Sequence, residues 1–258
     1  MAHIAVLGLG NWGTAIARLW LLEGHKVTGW TIEQEVYESI TMSETNEKYL
    51  PNHPVPGLDA TMHLSEAVEG AEIVVLAVPS SVILDVMEDV LPHLQPGHVL
   101  LDLAKGLAPG KRLISEAIHT RLKEEGKTNP LAVLTGPTIA PEAAGGVMTT
   151  ALVASEDQAI AQRLAQTLST PSFILHPASD PVGAELWGAY KNVVALACGL
   201  VDGLKQVGDL GGDNLKAAIF MSGFKEGCLL LAELGARAEV AFGPAGLGDM
   251  LSLIHISE

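Results

Sequence analysis

HIAVLGLGNWGTAIA, residues 3–17, decides how this chain is read. An apolar, β-rich run ends in glycine, and a helical pattern follows directly. Gly8, Gly10 and Gly13 fit G-x-G-x-x-G in the strand-turn-helix setting that gives the pattern its meaning. In that setting Gly8 permits the turn, Gly10 lets backbone approach a pyrophosphate, and Gly13 lets the helix pack on the strand. The helix N-terminus adds free N–H groups and the positive end of its dipole. The stretch therefore predicts a dinucleotide site, with NAD or NADP as cofactor. A glycine turn of purely structural use is the alternative.

Outward from the turn, strands and helices alternate. The first helix sets Ala15, Ile16, Leu19, Trp20 and Leu22 on one face and stops at Gly24. KVTGW reads as the second strand, EQEVYESITMSE as a polar helix and NEKYLPNHPVPGLD as a proline-rich loop. EIVVLAVP reads as the third strand, followed by a helix through Val82, Val86, Val90 and Leu91. HVLLDLAKG and LAVLTGP repeat the strand-then-glycine pattern, and TTALVAS and SFILHP flank the helix DQAIAQRLAQTL. Such alternation predicts an α/β, Rossmann-like, mostly parallel sheet over residues 1–179. From Asp180 to Glu239 only long helical patterns occur, which predicts an all-α second domain over residues 180–250.

Composition narrows the function classes. A formal net charge of −15 speaks against broad binding to nucleic acid or anionic membranes, though not against a small anionic substrate held by local donors. Cys198 and Cys228 lie in apolar helical patterns without metal-ligand spacing and read as reduced packing residues, so no metal is expected. No basic leader precedes the first strand, and the apolar stretch near Val193 to Val201 is too short to span a bilayer. A cytoplasmic protein is the expectation.

Two lysines stand out. Lys105 follows the strand HVLLDLA, at the sheet edge where such folds bind ligands. Its alternative is a solvated turn. Lys191 shares a helix face with Val194, Ala195 and Cys198, and burial there favours the neutral amine that proton transfer needs. A snorkelling helix-start lysine is the alternative. Asn192 stands beside it as a hydrogen-bonding partner. GPTIAPEAAG, residues 136–145, opens at another strand end and offers glycine, a threonine hydroxyl and free amides. Glu33, just past the second strand, reads either as a ribose ligand or as a solvated helix-start acid.

Together these segments resemble the bacterial-type NAD(P)-dependent sn-glycerol-3-phosphate dehydrogenases. GLGNWGTAIA, NEKYLPNHPVPG, LAVPSSVI, LAKGL, GPTIAPEAA, GAELWGAYKNVVALACGLVDGL and GPAGLGDM carry the resemblance, in family order, over nearly all of residues 3–250. It implies a Rossmann-like domain followed by an all-α domain of the 6-phosphogluconate-dehydrogenase type. It also implies hydride transfer between NAD(P)H and dihydroxyacetone phosphate, giving sn-glycerol 3-phosphate for phospholipid synthesis. Lys191 would be the general acid/base, and Lys105 would touch both cofactor and substrate. Asn11, Trp12 and Ala140 would join the glycines in the cofactor site. Gly136, Thr138, Asn192 and Asp249 would contact substrate, with Asp249 reaching the substrate or the catalytic lysine. The expected partner is a small molecule, not nucleic acid or membrane, and the expected assembly is a homodimer. A β-hydroxyacid or 6-phosphogluconate-type dehydrogenase and a non-catalytic dinucleotide-binding protein are the competing readings.

The chain departs from the family pattern in four places. Ala104 stands where a serine is usual, Ile139 where phenylalanine is usual, and Trp30-Thr31-Ile32 lacks the arginine of W-x-R that favours NADP. After GLGD the resemblance implies an arginine-asparagine pair gripping the substrate phosphate, and LSLIHISE contains neither. Leu251–Glu258 is accordingly expected to be a translated sequencing-adapter tail on a truncated helical domain. Such a fragment would turn over poorly and leave Val240, Phe242 and the preceding leucines exposed.

Overall fold

The computed structural model describes residues 1–208 and 211–253, so Ile254–Glu258 of the expected tail lie outside the described residues. Eight strands form one sheet: β1 His3–Leu7, β2 Lys26–Trp30, β3 Asp59–Thr61, β4 Ile73–Leu76, β5 Val99–Asp102, β6 Leu131–Thr135, β7 Thr149–Ala154 and β8 Phe173–Ala178. Their order is β3-β2-β1-β4-β5-β6-β7-β8. All neighbours run parallel except β6 and β7. β4, β5 and β6 are buried along their whole length, and β1 at every residue but His3, because helices cover both faces of a parallel sheet.

α1 Asn11–Leu22, α2 Gln34–Ser43, α3 Leu64–Val68, α4 Ile83–Val90, α5 Ile114–Glu124, α6 Ala140–Ala144 and α7 Gln158–Leu168 supply those layers. On one face Ile4, Val6, Ile16 and Trp20 pack with Leu164, Leu168 and Phe173. On the other, Leu7, Val74 and Leu76 pack with Ile83, Met87, Ile114 and Ile118. Each such leucine or isoleucine, fully withdrawn from water, contributes about 1.5–3 kcal/mol. Trp20 needs a partner for its indole N–H when buried, and it donates to Leu168 O at 3.1 Å.

The expected α/β order holds, with local corrections. β3 occupies the end of the proline-rich segment, so EIVVLAVP is the fourth strand. Leu22 is exposed because α1 ends there, and Val82 sits exposed before α4 begins.

Beyond β8 the chain is helical: α8 Pro181–Gly208, α9 Asp213–Glu233, α10 Ala238–Ala241 and α11 Asp249–Leu253, with a π-helical turn over Pro244–Gly248. Asp180 fixes the entry, accepting from Gly183 N at 2.8 Å and Arg237 N at 2.7 Å. α8 and α9 approach closely through glycine. A Cβ on Gly227 would lie 2.6 Å from Tyr190 Cε1, and one on Gly223 would lie 2.8 Å from Val194 Cγ2. Trp187, Val194, Cys198 and Phe220 pack there with Leu152 and Ala154 of β7, which seats the helical part against the sheet. Phe242, Leu229, Leu230 and Leu234 are exposed as expected. Val240 and Leu231 are not: α10 turns Val240 inward, where it is 4% exposed, and Leu231 joins the helical core at 3%.

Candidate active site

The sheet order reverses between β1 and β4, and at such a switch point the carboxyl ends of neighbouring strands open a crevice. Gly8 leaves β1 with φ +109°, a conformation that glycine adopts without strain. A Cβ there would sit 2.6 Å from Ala77 O, and a Cβ on Gly13 would sit 1.9 Å from Gly8 O. A Cβ on Gly10 would meet nothing within 4 Å. The close packing at Gly8 and Gly13 and the open space at Gly10 fit a pyrophosphate at the N-terminus of α1. Asn11 is exposed at that terminus. Trp12 is half-buried, stacked edge-on against Phe173 with centroids 6.1 Å apart, and packs on Leu50, Ala140 and Ala144. The structure thus gives Trp12 a packing role alongside the cofactor role expected of it.

The proline-rich segment braces this turn. Asn46, fully buried, donates to Leu9 O and to Thr14 Oγ1, each at 2.8 Å, and accepts from Tyr49 N at 3.2 Å. Sequence reasoning passed over Asn46. The only signal was an amide side chain at the head of a segment otherwise read as loop.

Glu33 begins α2. Its carboxylate accepts from Tyr49 Oη at 2.7 Å and pairs with Lys48, which also pairs with Glu35. The hydrogen bonds from Lys48 and Tyr49 hold the Glu33 carboxyl below its usual range. It is paired rather than free, with 32% of its side chain still exposed.

Three distant segments meet at the other end of the crevice. Asp249, 1% exposed, receives Lys191 Nζ at 2.7 Å on Oδ1 and Lys105 Nζ at 3.1 Å on Oδ2. The π-helical turn ends at Gly248, so Asp249 starts α11 and points its carboxylate between the ammonium groups. Lys191 is 6% exposed, as its helix face predicts. Its ammonium goes to Asp249, while the neighbouring Asn192 is exposed. Lys105 also donates to Gly136 O at 2.9 Å, and Thr138 Oγ1 donates to the same oxygen at 3.2 Å. Gly136 holds φ +154°, where a Cβ would strike Ala151 Cα at 2.9 Å. The structure therefore joins Lys105, Lys191, Asp249, Gly136 and Thr138. Ala140 opens α6 nearby in the chain, and Asn192 stands outside the group.

Burial draws the Lys105 ammonium down to about 8; the Asp249 charge opposes that shift and the Lys191 charge adds to it. Lys105 keeps 27% of its side chain exposed, against 7% for Lys191, so a small ligand meets Lys105 first.

Two buried acids support the lysines. Asp102 Oδ1 accepts from Ala104 N at 2.8 Å, shaping the turn into Lys105, while Oδ2 has no partner among the described residues. Burial raises its carboxyl well above the usual range. Glu185, about one and two-thirds turns before Lys191 by the geometry of an α-helix, accepts from Ser115 N at 3.0 Å and from Ser115 Oγ. Burial raises its carboxyl against those hydrogen bonds. It pins α8 to the start of α5. Both acids went unnoticed in the sequence because each looks like an ordinary polar residue beside an apolar run. Cys198 is buried and Cys228 half-buried, both are free, and burial pushes both thiols up.

Comparison with known proteins agrees with this geometry. The family model for the NAD-dependent glycerol-3-phosphate dehydrogenase N-terminus matches residues 3–161, and that for the C-terminus matches residues 180–255. A glycerol-3-phosphate dehydrogenase [NAD(P)+] of Rhodospirillum rubrum is 41% identical over 251 residues, covering 96% of this chain and 69% of that protein. One from Clostridium acetobutylicum is 36% identical over 253 residues, covering 97% and 74%. The crystal structure of glycerol-3-phosphate dehydrogenase from Coxiella burnetii superposes with a TM-score of 0.91 at 33% identity, covering 99% of this chain and 77% of that one. Among the described residues no helix is long and apolar enough to cross a membrane. With the family models accounting for both parts of the chain, the protein belongs to the NAD-dependent glycerol-3-phosphate dehydrogenase family.

Proposed function

We propose that the chain reduces dihydroxyacetone phosphate to sn-glycerol 3-phosphate with a reduced nicotinamide dinucleotide, and runs the reverse reaction. Residues 1–179 would hold the dinucleotide and residues 180–250 the substrate. The observation that carries this reading is one buried carboxylate, Asp249, shared by the ammonium groups of Lys105 and Lys191 at the crevice mouth.

The dinucleotide, held by Gly8, Gly10, Asn11, Trp12, Gly13 and Ala140, supplies or accepts the hydride when bound. Lys191 Nζ donates a proton to the carbonyl oxygen as that oxygen becomes an alkoxide, and takes it back in the reverse direction. Lys105 places a second positive charge where the alkoxide develops, in a site poor in water, where such charge is most effective. Asp249 holds both ammonium groups in register and keeps them from spreading apart by repulsion. Gly136 O fixes Lys105, and Thr138 offers its hydroxyl to the substrate. The charge of the trio is +1, two ammonium groups against one carboxylate, which suits an anionic phosphate ester despite the acidic chain. The enzyme would be cytoplasmic and homodimeric, with no role in nucleic-acid binding.

A substrate panel tests the reading. Oxidation of the reduced dinucleotide should depend on dihydroxyacetone phosphate. A preference for 3-hydroxy acids in the oxidative direction would instead favour a β-hydroxyacid dehydrogenase.

A further inference from the structure

The loop between α2 and β3 sends one buried amide back to the glycine turn. Asn46 Nδ2 donates to Leu9 O and to Thr14 Oγ1, each at 2.8 Å. Thr14 Oγ1 in turn donates to the same Leu9 oxygen at 3.2 Å. Two donors therefore converge on one carbonyl, and both side chains are fully buried. The Leu9–Gly10 peptide is trans, so the N–H of Gly10 points away from the Leu9 oxygen. Holding that oxygen inward turns Gly10 N–H outward, at a residue whose added Cβ would meet nothing within 4 Å. Gly10 N–H has no acceptor among the described residues. Asn46 is itself held: its Oδ1 accepts from Tyr49 N at 3.2 Å, and its backbone oxygen accepts from Leu50 N at 2.8 Å. That turn presents Leu50 to Ala15, Ala140 and Ala144. The loop thus grips the glycine turn with Asn46 and α6 with Leu50.

We propose that Asn46 is a positioning residue for dinucleotide binding, latching the Leu9 carbonyl so that Gly10 N–H is aimed at the pyrophosphate before the ligand arrives. A glycine-rich turn is free to rotate its peptide planes, and binding must give that freedom up. The latch removes it in advance. Without Asn46 the Leu9–Gly10 peptide can turn its oxygen towards the phosphates, which replaces a donor by a repelling acceptor. Asn46 acts through this peptide and not by touching the ligand. Thr14 is its helper, since it relays one Asn46 N–H to the same oxygen.

The inference rests on the glycine turn being the dinucleotide cradle, and the choice of ligands keeps the two apart. ADP carries the pyrophosphate and adenosine does not, so the ratio of their dissociation constants isolates the phosphate contacts. NMR titration of the full chain measures both, and isotopic labelling of the glycine nitrogens lets the Gly10 amide report in the same experiment. The parent should bind ADP about 10²-fold tighter than adenosine, with the Gly10 N–H resonance moving downfield on ADP addition. Asn46→Ala should cut that ratio about tenfold and damp the Gly10 response, with adenosine affinity unchanged. Thr14→Val keeps the shape of the side chain and removes one donor, so it should move the ratio the same way by about threefold. Thermal unfolding checks that each variant folds, and Thr14→Val decides the matter if Asn46→Ala does not. A folded variant with a lowered Tm but the parental ratio and Gly10 response would overturn the latch and leave the cradle standing. A parent that binds ADP no tighter than adenosine would overturn cradle and latch together.

Discussion

Replacing Asp249 by asparagine keeps the shape of the side chain and removes the charge on which two lysines converge. Lys191 is 6% exposed and stays buried; Lys105, with 27% of its side chain exposed, can swing outward. Removing one partner of a buried ion pair costs about 3–5 kcal/mol, because the remaining charge is stranded. Since Lys105 recovers part of its solvation, the lower figure applies, about 3 kcal/mol. For a chain of this size that lowers Tm by about 6–12 °C. The pH dependence sharpens the test. Asp249 is the group that props Lys105 up against burial, so without it the ammonium titrates below about 8. A lysine whose folded-state pKa is depressed destabilises the fold while charged, and stability returns as pH rises past that value. The Tm gap between Asp249→Asn and the parent should therefore be widest below about pH 7 and shrink as pH rises past about 8, where Lys105 of the parent also gives up its charge. Differential scanning calorimetry across that range measures it. A gap under about 2 °C, constant with pH, would refute the shared-carboxylate account.

Further outcomes follow from individual contacts. Asp102→Asn replaces a buried acid whose raised pKa contributes stability only at low pH. The variant should be indistinguishable from the parent in acid and the more stable of the two above neutrality, whereas Asp102→Ala loses the Ala104 N–H bond and should lie about 1–3 kcal/mol below Asp102→Asn at every pH; thermal melts at several pH values separate these. Gly13→Ala forces a Cβ to within 1.9 Å of Gly8 O, so it should cost about 3 kcal/mol and abolish dinucleotide binding, both visible in a calorimetric titration. Affinity for dihydroxyacetone phosphate should fall as pH rises through about 8, where Lys105 loses its charge, and Lys105→Met should flatten that profile.

What could be read from the sequence was whatever repeats at short range. Alternating apolar runs and glycine turns marked seven of the eight strands, and one helix face marked Lys191 as buried. β3 escaped because three residues following a run of prolines carry no periodic signal. The partnership of Lys191 with Asp249 spans 58 residues and depends on where a π-helical turn delivers the acid, so no short-range pattern links them, and only the resemblance offered Asp249 a place at the lysine. Glu33 stayed ambiguous for the same reason: Lys48 and Tyr49, which settle its environment, arrive from a loop whose path Asn46 fixes. Asn192 was read from its position beside Lys191, but adjacent residues on a helix point about 100° apart, and it faces solvent.

The central claim is that Lys191 moves the proton in a dinucleotide-dependent reduction. Its direct test is turnover of dihydroxyacetone phosphate by Lys191→Ala and parent, each in a chain completed to the length of its relatives, measured alongside calorimetric binding of the dinucleotide. Turnover should fall by about 10²-fold or more while dinucleotide affinity stays unchanged. Parental turnover in Lys191→Ala would contradict the account.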